Sequence, residues 1–222
     1  MRRIRKNAAP QWFEDWKTAF LKDNGREATY KQDFAKDKAR TYRLRKSLMK
    51  EQGYICCYCM GRITEGMQDL HNEHFWPQNY FPKRDMDYSN LFASCGGNPD
   101  PLYADYCGHR KNDWYSDEMV IPTDPAIESM FEYHLDGTVA AKAASPYKKI
   151  AQEMIENFGL NSYHLVRNRK TAIQESELFD ELGDYDSDDF RYFMDYYDQM
   201  HNGEYIPYCQ AIIDCMQREV IL

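Results

Sequence analysis

The apolar positions along this chain change rhythm twice. After Pro10, Trp12, Phe13, Trp16 and Phe20 recur at the spacing of one buried helix face, with proline in the first turn where it is tolerated. "NGRE" at 24–27 interrupts that helix. A longer and far more polar helix is expected from about Tyr30 to Gln52, with Phe34, Leu44 and Leu48 as its apolar edge and Gly53 as its stop. From 54 to 115 helical periodicity disappears, and short strands, knuckles and loops are expected. Periodicity then returns. "FEYHLDGTVAAK" (131–142) predicts a hairpin turning at Asp136-Gly137. Helices follow over about 146–158, 162–182 and 187–201. Their expected starts are Ser145-Pro146, Asn161 or Ser162, and Ser187, with Gly159 and Gly203 as stops. A last helix runs from Pro207 towards Glu219 and buries Tyr208, Ile212, Ile213 and Met216. "DELGDYDSDD" (180–189) reads as an acidic loop, and no internal repeat is visible.

The expected fold class is therefore α+β and mostly helical. Three regions are expected: a basic helical region (1–53), an irregular core (54–115), and a hairpin with an acidic helical region (116–222). At 222 residues the chain is long enough to bury a core without disulfides. No run of about eighteen apolar residues predicts a membrane helix. The basic start lacks a signal peptide's apolar stretch, because Glu14 and Asp15 fall where it should be. The expectation is a cytosolic protein whose seven cysteines are thiols or metal ligands.

Charge sharpens the division. The overall net charge is −8, yet residues 1–50 hold 15 basic and 6 acidic residues, a net of +9. Residues 51–115 hold 5 and 9, a net of −4, and residues 116–222 hold 8 and 21, a net of −13. The N-terminal part can meet phosphates and the C-terminal part cannot. The basic run is equally what a solvated helix face would look like.

The irregular core carries the candidate chemistry. It holds five of the seven cysteines and three of the six histidines. Cys56-x-x-Cys59 is a knuckle that can present two thiolates to zinc, and a tetrahedral structural site needs two more ligands. Cys95 and Cys107 can supply them, although eleven residues separate the pair; that Gly-, Pro- and Asp-containing stretch suits a loop. Cys209 and Cys215 read as core residues of the last helix.

With zinc pinning 56–107, the segment between the cysteine pairs becomes a hairpin presenting His71, Glu73 and His74. Neighbours on a strand face opposite ways, so Glu73 and His74 need a local twist to act together. Glu73 and His109 form an acid-plus-imidazole pair suited to Mg²⁺ or Mn²⁺. His74 is a general-base candidate, with a pKa range that allows it to take a proton from water. Metal plus base is what phosphodiester hydrolysis needs. Asn90 can hold the base or its loop, and Arg110 and Lys111 can contact phosphates. His71 reads as a surface residue or an outer partner of a ligand.

These residues carry a resemblance. "CCYC…NEHFWPQ…YSNLFASC…CGHRKND" resembles the core of HNH (ββα-metal) endonucleases. The resemblance implies that His74 is the general base, that Glu73 and His109 hold the catalytic ion, and that Asn90 is the central orienting residue. It also implies that Cys56, Cys59, Cys95 and Cys107 hold a structural zinc within a ββα-metal core. The flanks, with "LRKSLMKEQGYICCYC", "GLNSYHLVRNRKTAI" and "GEYIPYCQAIIDCMQ", resemble the HNH subunit of Septu-type (PtuB-like) antiphage systems, sometimes found with retrons. That implies a bacterial cytoplasmic effector nuclease with an ATPase partner, acting on nucleic acid, DNA ahead of RNA, and leaving a 5′-phosphate. The spacing departs from the family in the wide Cys95–Cys107 gap, and in His109 standing two residues after Cys107 rather than one.

Two other classes fit parts of the pattern. Zinc deaminases use His-x-Glu followed by Pro-Cys-x-x-Cys. This chain has His71-Asn72-Glu73, but its Cys-x-x-Cys lies upstream. A zinc-stapled module that binds nucleic acid or protein without catalysis would also carry the cysteines.

Overall fold

The computed structural model describes residues 1–66, 70–96, 106–176 and 187–219. Helix α1 (Gln11–Asn24) ends at Gly25, whose positive φ of 67° lets its N–H close on the Leu21 carbonyl. The long helix expected over 30–52 is two pieces. A π-helical turn covers Tyr30–Phe34, and α2 begins only at Lys38 and runs to Glu51. Two short carboxylates cause the break. Asp33 bonds back to the Thr29 N–H and hydroxyl, and Asp37 caps α2 by accepting from the Arg40 N–H. The break drops Phe34 into an aromatic cluster with Trp12, Phe13 and Trp16.

The irregular core is an antiparallel pair, β1 (His71–His74) and β2 (Leu91–Ser94), followed by the short helix α3 (Cys107–Lys111). The register sets His71 opposite Ser94, Glu73 opposite Phe92 and His74 opposite Leu91. The C-terminal end of α2 clamps this pair to the knuckle. The buried Gln52 side chain accepts from the Ala93 N–H and donates to the carbonyls of Ala93 and Ile55.

The second sheet is the expected hairpin, β3 (Phe131–Tyr133) and β4 (Val139–Ala141), turning through Gly137 at φ 86°. Helices α4 (Lys148–Asn157), α5 (Tyr163–Gln174), α6 (Ser187–Asp198) and α7 (Cys209–Glu219) complete the chain. The fold is α+β with two small antiparallel sheets and helices predominating. Helix α5 ends at Gln174, short of the expected 182, and residues 177–186, with that part of the acidic loop, fall outside the described residues. Cys209 and Cys215 are buried in the core, on α7.

The three expected regions are welded together. The Tyr205 and Tyr208 N–H groups donate to the carbonyls of Gly53 and Met60, and the Cys107 N–H donates to the Phe158 carbonyl. Among the described residues, no helix is long and apolar enough to cross a membrane.

Candidate metal centre and polar cleft

The knuckle is built by backbone bonds. The Cys56 N–H donates to the Gly61 carbonyl, the Met60 N–H returns to the Cys56 carbonyl, and Met60 takes a left-handed φ of 64°. Cys95 lies just past β2 and Cys107 opens α3. Gly96 makes their approach possible: a Cβ there would sit 2.4 Å from the Tyr106 carbonyl oxygen. The wide spacing seen in the sequence is therefore absorbed by a segment whose two ends touch; its residues 97–105 lie outside the described set.

The ligand atoms of Cys56, Cys59, Cys95 and Cys107 all lie within 4.8 Å of one another, and all four residues are buried. The Tyr58 and Cys95 N–H groups point at Cys56 Sγ at 3.5 Å, and the Gly61 N–H points at Cys59 Sγ at 3.3 Å. Burial works against a Cys56 thiolate, but hydrogen bonds from the facing thiols prevail and hold its pKa well below the usual range. Burial and the same neighbours push the Cys107 thiol well up. Four sulfurs this close cannot all ionise unless a cation joins them. The donor set fits a soft, tetrahedral metal ion such as zinc. His71 is not part of this group, so the ligand arrangement of a zinc deaminase is not formed.

Beside the cysteines, both faces of β1 open onto one polar cleft of about 440 Å³, lined by His71, Glu73, His74, Gln78, Gly108 and Lys31 among others. β1 pairs with β2 in an unbroken antiparallel register. His71 and Glu73 share one of its faces, as the period of two requires. Both oxygens of the buried Glu73 are engaged. Oε1 accepts from the Tyr58 hydroxyl and pairs with Lys111 Nζ, each at 3.0 Å, and Oε2 lies 2.9 Å from His71 Nε2. Burial alone would raise this carboxyl, but the Lys111 ammonium and the His71 hydrogen bond overcome it and bring the pKa down to about 2.

His74 is partly buried on the other face, its ring edge-on to Tyr30. Its Nε2 lies 2.9 Å from the Asp85 carbonyl oxygen and 3.5 Å from Asp85 Oδ1, an oxygen with no hydrogen-bond partner. Gln78 Nε2 lies 2.9 Å from His74 Nε2 and 3.2 Å from Nδ1; the tautomer with hydrogen on Nε2 satisfies the Asp85 carbonyl and leaves Nδ1 as the acceptor. Burial lowers the His74 pKa despite the Asp85 carbonyl and carboxylate, so the ring is neutral at neutral pH. Asn90, which is buried, ties the segment after His74. It accepts from the Trp76 N–H at 2.7 Å and donates to the carbonyls of Trp76 and Arg84.

Besides Cys107, three of the expected site residues lie on α3. His109 is exposed on α3 and is not among the residues lining the cleft, where Glu73 meets Tyr58, Lys111 and His71. One helical turn lets α3 aim only one side at β1, and the residues so aimed are Gly108 and Lys111. Lys111, expected on phosphates, is buried against Glu73 and the His74 carbonyl. Arg110 is exposed, and its Nε donates to the Glu156 carbonyl. His71 lies against Glu73, as an outer partner of that residue would, whereas Lys31 at the cleft and Asp85 against His74 hold places that the sequence reading did not assign. The His-x-Glu alternation was a usable signal for His71; nothing local marks Asp85, eleven residues from its histidine. The chain matches no family model and no curated protein.

Proposed function

We propose that this protein is a metal-dependent HNH-type endonuclease with a ββα-metal core, and that it is the effector nuclease of a Septu-type antiphage complex with an ATPase subunit. The observation that carries the reading is the convergence of Glu73 and His74 on one polar cleft, beside four cysteines able to hold a metal. His74 Nδ1 takes the proton of the attacking water, while Asp85 holds the opposite side of the ring. Glu73 with His71, rather than His109, is the acid-plus-imidazole pair that would hold Mg²⁺ or Mn²⁺. His71 Nδ1 is buried without a hydrogen-bond partner, so the ring can be re-paired when an ion arrives. Two protein ligands suit Mg²⁺, which keeps several waters and takes substrate oxygens. The ion would stabilise charge on the phosphate and the leaving oxygen. Lys31 takes the phosphate role first assigned to Lys111.

The test is nicking of supercoiled plasmid with Mg²⁺ or Mn²⁺ by wild type and His74→Ala purified alike, with RNA substrates and the ATPase partner added in turn. A wild-type activity that falls on the order of a hundredfold or more in the variant supports the reading. Equal activity of both overturns the assignment of the base.

One observation favours a second reading, a metal-stapled binding module. Lys111 and His71 close the Glu73 carboxylate into an ion pair, as a purely structural carboxylate would be closed. Under that reading His74→Ala retains nucleic-acid or partner affinity, and neither protein cleaves.

A further inference from the structure

The largest concentration of positive charge lies away from the cleft. The N-terminal arm runs extended over the core, held by the Ile4 N–H on the Pro122 carbonyl and by Lys6 on the buried Glu51. Between this arm and α2 lies a cavity of about 520 Å³ whose walls include Arg2, Arg3, Arg5 and Lys50. Its single carboxylate, Glu51, is taken up by Lys6 at 2.7 Å and by the Asn7 N–H at 2.6 Å. A second hollow of about 470 Å³ carries Arg43, Lys46 and Lys50 beside Trp12, Tyr42 and Tyr54, with no acidic residue in its lining. The two share Ser47 and Lys50 and so form one trough. Of the six cations, Arg2 is paired with Asp198 at 2.8 Å and Lys46 with Glu65 at 3.2 Å, so the local excess is carried by Arg3, Arg5, Arg43 and Lys50, on a chain whose net charge is −8. Such a local excess attracts polyanions in spite of the overall charge.

The trough is tied to the cleft by two elements. Helix α2 sends Lys50 to the trough and, one turn earlier, sends Arg45 to Asn72 at the cleft, with Nε 3.4 Å from Oδ1. In the knuckle, Cys57 lines the trough while its neighbour Tyr58 holds Glu73. The geometry points to a nucleic-acid exosite: the trough takes the phosphodiester backbone of a single strand. The cations contact phosphates, and Tyr42 and Tyr54 offer ring faces for unstacked bases, the Trp12 ring being covered by Arg43 at 4.4 Å and by Phe34. Two joined hollows run longer than one nucleotide needs, which favours a strand over a free nucleotide. The inference deepens the nuclease reading and rests on it for the nature of the ligand.

The test uses the full chain and the variant Arg5→Gln/Arg43→Gln/Lys50→Gln, three exposed positions outside the cleft and the cysteine cluster. Binding of fluorescein-labelled oligothymidylate and oligouridylate is followed by polarisation across a salt series, without added divalent ion. Metal content and circular dichroism serve as folding controls. Wild type should bind with a steep salt dependence, and at moderate salt the variant should bind on the order of tenfold more weakly or worse. The slope of log K against log salt should fall by about 2, as expected for three lost contacts to a single strand. Equal affinity and slope overturn the exosite. Displacement by ATP as effective as by unlabelled strand overturns the strand in favour of a nucleotide. No wild-type binding at all also overturns it, and His74-dependent hydrolysis of bis(p-nitrophenyl) phosphate would then leave the nuclease reading standing alone. Variant-sensitive binding without any His74-dependent hydrolysis would keep the exosite and remove the nuclease.

Discussion

Glu73 owes its charge to Lys111. A carboxylate buried this deeply would normally be neutral, and the lysine at the end of α3 reverses that balance. Breaking a buried pair leaves the other charge uncompensated, so Glu73→Gln should destabilise the protein by about 3–5 kcal/mol in urea titrations at neutral pH. The pH dependence has a definite sign. The folded pKa of about 2 lies below the ordinary carboxylate value, so the folded state binds fewer protons than the unfolded state in between. The Glu73 contribution is complete above the unfolded value of about 4.5 and is lost as the pH falls through about 2. The stability gap between wild type and Glu73→Gln should close over that window. A gap independent of pH would mean that Lys111 does not set the charge of Glu73. Both mutual partners were visible as residues, but their pairing was not: Lys111 sits in a "HRKND" run where every cation looked equally exposed.

At the scale of elements, α3 decides the shape of the cleft through Gly108. A Cβ there would lie 2.3 Å from His71 Nε2 and 2.4 Å from Glu73 Oε2, so the helix rests directly on the face of β1. Gly108→Ala should keep the metal on the cysteines while displacing His71 and Glu73. On the nuclease reading its activity falls more than tenfold at unchanged metal content, measured side by side. The segment between β1 and β2 depends on Asn90 in a different way. Its three hydrogen bonds to the Trp76 N–H and to the Trp76 and Arg84 carbonyls are part of a buried network, and Asn90→Ala should cost about 2–4 kcal/mol in chemical denaturation. Near-wild-type stability would show that water replaces the side chain. The break between the Tyr30–Phe34 turn and α2 belongs to this scale too. Helical periodicity continued through 30–52, but the local bonds of Asp33 and Asp37 competed with the helix and won.

For the whole molecule, the cysteine cluster and the C-terminal helices act as one support. The four thiols join the knuckle, the end of β2 and the start of α3, which are otherwise short elements with little apolar area of their own. Withdrawing the metal with a chelator should therefore loosen the cleft, read as loss of near-ultraviolet circular dichroism, and Cys107→Ser should lower the metal content per chain. Deleting 145–222 tests whether the core depends on the C-terminal helices. That deletion would remove the Phe158 carbonyl beneath Cys107 and the Tyr208 N–H on Met60. The truncated protein is expected to lose its bound metal, measured by elemental analysis. A truncation that keeps full metal content would show that the core folds alone.

Much of this architecture follows from the sequence by itself. Helix faces, the Asp136-Gly137 turn and the grouping of four cysteines are set by periodicity and by residue types with few alternatives: apolar stripes must be covered, glycine permits positive φ, and clustered thiols bind soft metals. The resemblance named Glu73 and His74 for the same reason, since adjacent residues need no fold to be neighbours. Tertiary structure alone decided which distant side chains complete the site. Whether Lys111 or His109 is the α3 residue aimed at Glu73 depends on the angle at which one turn of helix leaves the cysteine cluster. Whether Asp85 meets His74 depends on a loop held by Asn90. Those are matters of direction in space, and side-chain direction across a long loop leaves no period in the sequence from which it can be read.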